Sequence, residues 1–362
     1  MKIFLCPDKF KGSASSQEVI SALTEGIKRV EADIALTSAS ISDGGEGFSL
    51  IASQHLKGEW VTVESQDALH RPILCQYFVS DAVAYIDMSS TNGLVQISPE
   101  DRNAMRSSTY GTGLLIKHAT EMSKVKQIYI GLGGSATNDA GSGMAAALGA
   151  KFIDHQGHEL LPIPDELIHC SSIDTSNLIK TPPIIAACDV NNPLLGENGA
   201  TYVYGPQKGI TELADTDGII TQLMLAGNGE ISASVPGSGA AGGIAYGLLH
   251  YLGATLESGF TIVSSIINLE EQIANADVII TGEGSLDSQT LNGKGPHGVA
   301  MLAKQYSKRV FAIAGQAEAC VEEHFEQTLS LASTGLPLET CMNEAPTIIS
   351  DLAENIVRSI LK

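Results

Sequence analysis

Loops that combine glycine with carboxylate, amide and lysine side chains recur along this chain. Five of them follow apolar runs of strand length: Asp8-Lys9-Phe10-Lys11-Gly12, Asp43-Gly44-Gly45-Glu46-Gly47, Gly131 to Asp139, Cys188-Asp189-Val190-Asn191-Asn192, and Gly282-Glu283-Gly284-Ser285-Leu286-Asp287. Two more, Gly205-Pro206-Gln207-Lys208-Gly209 and Gly237 to Gly243, lie outside clear strand ends. Glycine lets backbone N–H groups approach an anion closely, and a following helix N-terminus adds a favourable field. One such loop is no more than a turn. A set that also carries Asp, Glu, Asn and Lys points to phosphate chemistry. Lys9, Lys11, Lys208 and Lys294 lie in or beside glycine-containing stretches of a chain poor in basic residues. A lysine placed there suits a phosphate as a point charge.

The elements that must hold these loops read as α/β. Residues 2–6 form an apolar strand, Ser15 and Glu18 make a capping box, and Val19, Leu23, Ile27 and Val30 recur at helical spacing. A second strand is expected around residues 34–41. Residues 59–65, 72–79 and 82–88 are short strand-like runs with only turn residues between them, an antiparallel meander. Helices are expected over 108–122, 140–149 and 239–252, and a closing helix over 347–361. Buried strands are expected at 127–130, 184–187, 277–280 and 310–313. In an open parallel sheet, ligands bind beyond the carboxyl ends of the strands, where most of these loops lie.

Two domains follow from this pattern and from the 362-residue length. The first is a discontinuous Rossmann-like α/β domain over 1–58 plus 270–362, with a mostly parallel sheet. The second is an inserted α/β domain over 59–269, with a mixed or antiparallel sheet. Hydrophobic residues make up 43% of the chain, enough for full cores, which excludes a disordered protein. Acidic residues number 41 and basic ones 21, for a net charge of −20. Such a surface repels nucleic acid and anionic membrane, so neither is expected as a partner. The cysteines are scattered with no C-x-x-C pair, against both a disulfide scaffold and a zinc site. We therefore expect a cytoplasmic protein with buried thiols, and leave self-association into a homo-oligomer open.

Neither the P-loop signature nor the protein-kinase catalytic loop occurs. A competing pattern is present. Gly131, Gly133 and Ala136 fit G-x-G-x-x-A after a strand, and Asp154 stands near the place of the ribose-binding acid. The loop then continues into Asp139, which is unfavourable beside a pyrophosphate without a cation. His155 and His158 flank a Gln-Gly turn and read as solvent-facing.

In its ordered motifs the chain resembles the bacterial glycerate kinases of the glyoxylate and glucarate pathways. The matching stretches are Pro7 to Lys11, Ser42 to Gly47, Thr109 to Gly113, Gly131 to Asp139, Ala187 to Val190, Gly205 to Gly209, Pro236 to Gly243, and Thr281 to Gly284 with Asp287, Ser288, Gln289 and Gly293-Lys294. Departures from the family pattern stand at Gln66-Asp67-Ala68-Leu69, at Ile86-Asp87-Met88-Ser89 and at Leu114. The resemblance implies a two-domain α/β enzyme that phosphorylates D-glycerate with ATP and Mg2+ or another divalent cation, giving 2-phosphoglycerate. On that reading Asp189 is the general base, with Asp287 second, and Lys294 neutralises the transferring phosphoryl group. Lys11 and Lys208 join Lys294 as contacts for phosphate or the glycerate carboxylate. Asp43 and Glu46 are metal or positioning residues. Asp8, Gly44, Gly45, Gly133, Gly134, Ser135, Asn138, Asp139, Asn192, Gly239, Gly242, Gly282, Glu283 and Gly284 complete the expected substrate and phosphate contacts. An NAD(P)-dependent hydroxyacid oxidoreductase and a non-catalytic sugar-acid binding protein remain alternatives at this point.

Overall fold

A computed structural model describes the whole chain apart from Asp43, Gln289, Gly293, Lys294 and the side chain of Asn292. Its strands are β1 (Lys2–Pro7), β2 (Ala35–Ser38), β3 (Glu59–Gln66), β4 (Pro72–Ser80), β5 (Val83–Asp87), β6 (Gln127–Gly131), β7 (Lys151–Asp154), β8 (Cys170–Asp174), β9 (Ile184–Ala187), β10 (Thr255–Glu257), β11 (Val278–Leu286), β12 (Arg309–Ala317) and β13 (Gln327–Ser330). The chain divides into two compact units, Met1–Asp43 with Val263–Lys362, and Gly44–Ile262.

The discontinuous unit holds a five-stranded sheet in the order β13-β12-β11-β1-β2. Every pairing in it is parallel. Its strands are buried almost throughout at the centre of the sheet, as a parallel sheet covered on both faces requires. The expected capping box forms: Ser15 Oγ accepts from the Glu18 N–H at 3.3 Å, and the Ser15 N–H donates to Glu18 Oε2 at 2.8 Å. The helix it starts, Ser16–Val30, packs on the closing helix, Ala345–Ile360. Gly26 makes that contact close, since a Cβ there would stand 2.0 Å from the Ser350 carbonyl oxygen.

The inserted unit is built on a six-stranded mixed sheet, β10-β9-β6-β5-β4-β3. The expected meander is present, with β3–β4 and β4–β5 antiparallel. It runs on into a parallel half, because β5, β6, β9 and β10 are paired parallel. The α/β class, with one parallel and one mixed sheet, is therefore as expected. The helix Phe48–His55 belongs to this unit because Phe48 is fully buried against Tyr85, with ring centroids 5.9 Å apart, and Ser49 bonds Asp87. The units accordingly divide at Asp43/Gly44 and Ile262/Val263, not at the expected 58/59 and 269/270.

Three local expectations need correction. β7 and β8 form a two-stranded ribbon that joins neither large sheet, and Asp154 there accepts from the Gln156 and His158 N–H groups of its own turn. Asp154 therefore does not end the strand beside β6, which the dinucleotide fingerprint requires. The stretch read as a helix over 239–252 contains a break: Ala241, Gly242 and Gly243 have φ of 55°, 74° and 83°, in the left-handed region, before the regular helix continues. Of the thiols, Cys6, Cys75, Cys170 and Cys341 are buried, Cys188 is half-buried and Cys320 is exposed.

Candidate active site

In the inserted unit, the carboxyl ends of β5, β6 and β9 deliver Asp87, the Gly131–Asp139 loop and Cys188-Asp189 to one edge of the sheet. The Gly44–Gly47 turn lies across that edge. A Cβ on Gly131 would be 2.7 Å from the Gly44 carbonyl oxygen, and one on Gly133 would be 2.7 Å from Gly45 Cα. Gly44, at φ +75°, would place a Cβ 2.7 Å from the Ala187 side chain and 2.6 Å from Gly259 Cα. Glycine is thus required at these positions by backbone packing, independent of any ligand. Gly134 differs: its φ is +65°, a Cβ there would make only an ordinary contact at 4.0 Å with the Ser89 side chain, and the residue is exposed, so this part of the loop is open to solvent.

Asp189 is half-buried and held at both oxygens. Ser258 Oγ donates to Oδ1 at 2.9 Å and the Phe260 N–H to Oδ2 at 3.3 Å. Asn192 donates to the Asn198 carbonyl at 2.8 Å and accepts from the Tyr204 hydroxyl at 2.7 Å, which orders its own loop. A Cβ on Gly239 would reach the Pro193 carbonyl oxygen at 2.1 Å, so the 237–243 turn packs tightly on the Asp189–Asn192 loop.

Asp139 is fully buried. Its carboxylate accepts from the Thr109 N–H and Oγ1, each at 2.8 Å, and from the Gly141 and Gly143 N–H groups, each at 3.1 Å. Burial pushes its pKa up, against the lowering effect of those hydrogen bonds. Here it ties the loop to the start of the helix Tyr110–Glu121 and faces inward rather than toward a ligand. Asn138, also fully buried, donates to Thr201 Oγ1 at 3.0 Å. Among the described residues, its Oδ1 and the Thr137 Oγ1 have no partner.

Lys208 is only 2% exposed. Its ammonium donates to Ser135 Oγ and to the Thr137 carbonyl oxygen, both at 2.7 Å. Burial lowers its pKa to about 7, with Asp139 opposing the change. Gly242 makes room for it, since a Cβ there would be 2.9 Å from Nζ and 1.9 Å from the Thr137 carbonyl oxygen. The side chain expected to meet phosphate directly is therefore an interior strut beneath the Ser135 loop.

Asp87 stands out in the structure, although the sequence marked it only as a departure from the family pattern. It is 9% exposed at the end of β5, where Ser49 Oγ donates to it at 2.5 Å and the Ser49 N–H at 3.3 Å. It thereby serves the first turn of the helix Phe48–His55, whose own N-cap position, Gly47, makes no side-chain bond. Burial pushes its pKa up to about 6; the Ser49 and Phe48 bonds oppose the rise and the nearby Glu46 charge adds to it. The available signal was an acid ending a buried strand.

In the discontinuous unit, the ends of β1 and β11 carry a second group. The Lys9 N–H donates to Asp8 Oδ1 at 2.6 Å, and Lys11 is exposed. A Cβ on Gly284 would be 3.4 Å from the Lys11 nitrogen, so these two loops run side by side. Thr290 Oγ1 donates to Glu283 at 3.0 Å, and Ser285 Oγ donates to Asp287 at 3.1 Å. A Cβ on Gly282 would be 1.9 Å from the Ile313 carbonyl oxygen, so Gly282 is needed for strand pairing. Asp43 and Lys294 lie outside the described residues.

The chain matches known proteins along nearly its whole length. The model of the glycerate kinase family matches residues 3–361. The glycerate 2-kinase of Escherichia coli (strain K12) is 40% identical over 87% of this chain and 85% of its own. The glycerate kinase of Halalkalibacterium halodurans is 37% identical over 98% of this chain and 97% of its own. A crystal structure of a Salmonella typhimurium LT2 protein assigned as glycerate kinase 2 superposes with a TM-score of 0.82 at 35% identity, covering 100% of this chain and 98% of that one. No helix among the described residues is long and apolar enough to cross a membrane. With one parallel and one mixed sheet, glycine-bearing strand ends and a match along nearly its whole length, the chain belongs to the glycerate kinase family.

Proposed function

We propose that the protein transfers the γ-phosphoryl group of ATP to the 2-hydroxyl of D-glycerate, giving 2-phospho-D-glycerate and ADP. The observation that carries this reading is the gathering of carboxylates and glycine-loop N–H groups at the carboxyl ends of parallel strands, in a chain 40% identical to a glycerate 2-kinase. Phosphoryl transfer needs alignment and charge neutralisation more than covalent help. Asp189 accepts the proton of the attacking hydroxyl, its oxygens oriented by Ser258 and the Phe260 N–H. The hydroxyl oxygen bonds to the γ-phosphorus as the bond to the bridging oxygen breaks, and that electron pair leaves on ADP. Asp287 is the alternative base. Lys294 and Lys11 neutralise phosphate charge, and the open Gly134 segment offers backbone N–H groups.

The described residues hold no group of three or more metal-ligating side chains, so a divalent cation would draw only one or two ligands from the protein. Glu46 lies close enough to Asp87 to raise its pKa, so two oxygen donors stand at one strand end. Mg2+ takes one or two carboxylates and fills its other positions with water and phosphate oxygens. Glu46 would hold it together with Asp43, while Asp87 stays engaged with Ser49. When bound, the ion neutralises charge on the β- and γ-phosphates.

The test is a titration of the purified protein with ATP and with NAD in the presence of Mg2+. Saturable ATP binding without NAD binding is expected. Tight NAD binding with no ATP binding overturns the reading.

A further inference from the structure

Ser135 lies on the Gly131–Asp139 loop, directly after Gly134, the exposed glycine of that loop. The residue is 5% exposed, and its hydroxyl accepts a 2.7 Å bond from a lysine that is itself buried. The direction of that bond matters. A protonated lysine has three donors and no lone pair, so Ser135 Oγ can only accept from it. The hydroxyl's own proton is then left to donate elsewhere, and among the described residues no acceptor takes it. A second Lys208 proton holds the Thr137 carbonyl oxygen at 2.7 Å, which fixes the loop on both sides of Ala136.

We propose that Lys208 is a positioning residue that never touches substrate, and that it fixes the Ser135 hydroxyl as a hydrogen-bond donor to an oxyanion of the bound substrates. That oxyanion is either the carboxylate of the acceptor or a phosphate of the nucleotide. The inference rests on the kinase reading above and deepens it: Ser135 keeps the ligand contact expected of it, and Lys208, expected to make its own, acts through Ser135.

The polarity of the bond is a function of pH. Neutral Lys208 has a lone pair, so Ser135 can turn its proton inward and cease to donate to the ligand. With the lysine pKa lowered to about 7 by burial, the charged form holds below that pH and the neutral form above it. The groups facing Lys208 are few. The Gly131–Asp139 loop contributes Asp139, whose charge favours the ammonium. The Arg102–Ala104 segment packs on the backbone of Lys208 and Gly209 through its own backbone. The 237–243 turn contributes Gly242, which does not titrate.

Three proteins test this: wild type, Ser135→Ala and Ser135→Ala combined with Lys208→Met. Steady-state kinetics with D-glycerate and with ATP as the varied substrate, from pH 6 to 8.5, give KM and kcat separately. Ser135→Ala should raise KM for one of the two substrates by about 10- to 100-fold, the worth of a hydrogen bond to a charged group. Which KM rises identifies the oxyanion as the carboxylate or the phosphate. In wild type the same KM should rise through about pH 7, and in Ser135→Ala that rise should vanish. Lys208→Met should add less than about twofold on the Ser135→Ala background, because a residue acting through another is not additive with it. Circular dichroism shows whether the double variant folds, and the Ser135→Ala pH profile decides the matter without it. Unchanged KM values in Ser135→Ala, or a pH-dependent rise that persists in it, overturn the inference. A wild type that does not phosphorylate D-glycerate overturns the kinase reading, and this inference with it.

Discussion

Asp139→Asn tests whether a buried carboxylate organises the candidate site. The carboxylate accepts four hydrogen bonds, three at Oδ2 and one at Oδ1. An asparagine oxygen in the Oδ2 place can keep the two Thr109 bonds and the Gly143 bond, now as weaker neutral ones. Its amide then confronts the Gly141 N–H, donor against donor, at a fully buried position. Losing one charge-assisted bond and leaving buried donors unmet costs about 2–5 kcal/mol. Part is returned because the charge no longer has to be buried, the effect that pushes the Asp139 pKa up. We expect a net loss of about 2–3 kcal/mol. Trp60, the single tryptophan, lies in the inserted unit against Phe78, so its fluorescence reports unfolding of the unit that contains Asp139. The urea midpoint should fall by roughly 1 M. A midpoint unchanged within error would refute the assignment of Asp139 as the tie between this loop and the helix Tyr110–Glu121.

Three further substitutions probe other parts of the account. Gly242→Ala should destabilise the inserted unit by more than about 1 kcal/mol, because φ is +74° and the new Cβ would meet the Thr137 carbonyl oxygen at 1.9 Å; an unshifted urea midpoint contradicts this. Asp87 has a pKa of about 6 when folded against 3.8 as its ordinary value, so the folded state binds the proton more tightly and gains stability as pH falls from about 6 to 4. Comparing wild type with Asp87→Asn over that range should show the wild type gaining relative to the variant on acidification, and a constant difference counts against a raised pKa. Asp189→Asn should lower kcat by about 10²–10⁴-fold with ATP affinity nearly unchanged; retention of more than about a tenth of wild-type kcat moves the base assignment to Asp287.

Strands that end in glycine were legible because burial on both faces leaves nearly continuous apolar runs, as in β1 and β12. The first helix was legible from its capping box, and the meander from its short alternating runs. The ribbon of β7 and β8 was not, because its strands are short and mostly half-exposed, and residues 155–169 separate them in place of a short hairpin turn. Nor was the left-handed run at Ala241–Gly243, since small residues fit a helix as well as a break. At the site, residue types did not distinguish residues that face inward from those that face outward. A lysine between Gln207 and Gly209 reads as solvated or ligand-facing. Its burial depends on Gly242, distant in sequence, which leaves room for the ammonium. Asp139 looked unfavourable beside a phosphate, and the structure resolves the conflict by turning it toward four interior donors. Asp87 was underrated because its environment comes from a helix that precedes it by some forty positions, Ser49 being its partner.

Phosphorus NMR of the wild-type protein incubated with D-glycerate, ATP and Mg2+ tests the central claim most directly. The account predicts that ADP and 2-phospho-D-glycerate appear in equal amounts and that neither forms at a comparable rate without the protein. ADP with inorganic phosphate in place of a phosphorylated acid, or 3-phosphoglycerate as the main product, would contradict it.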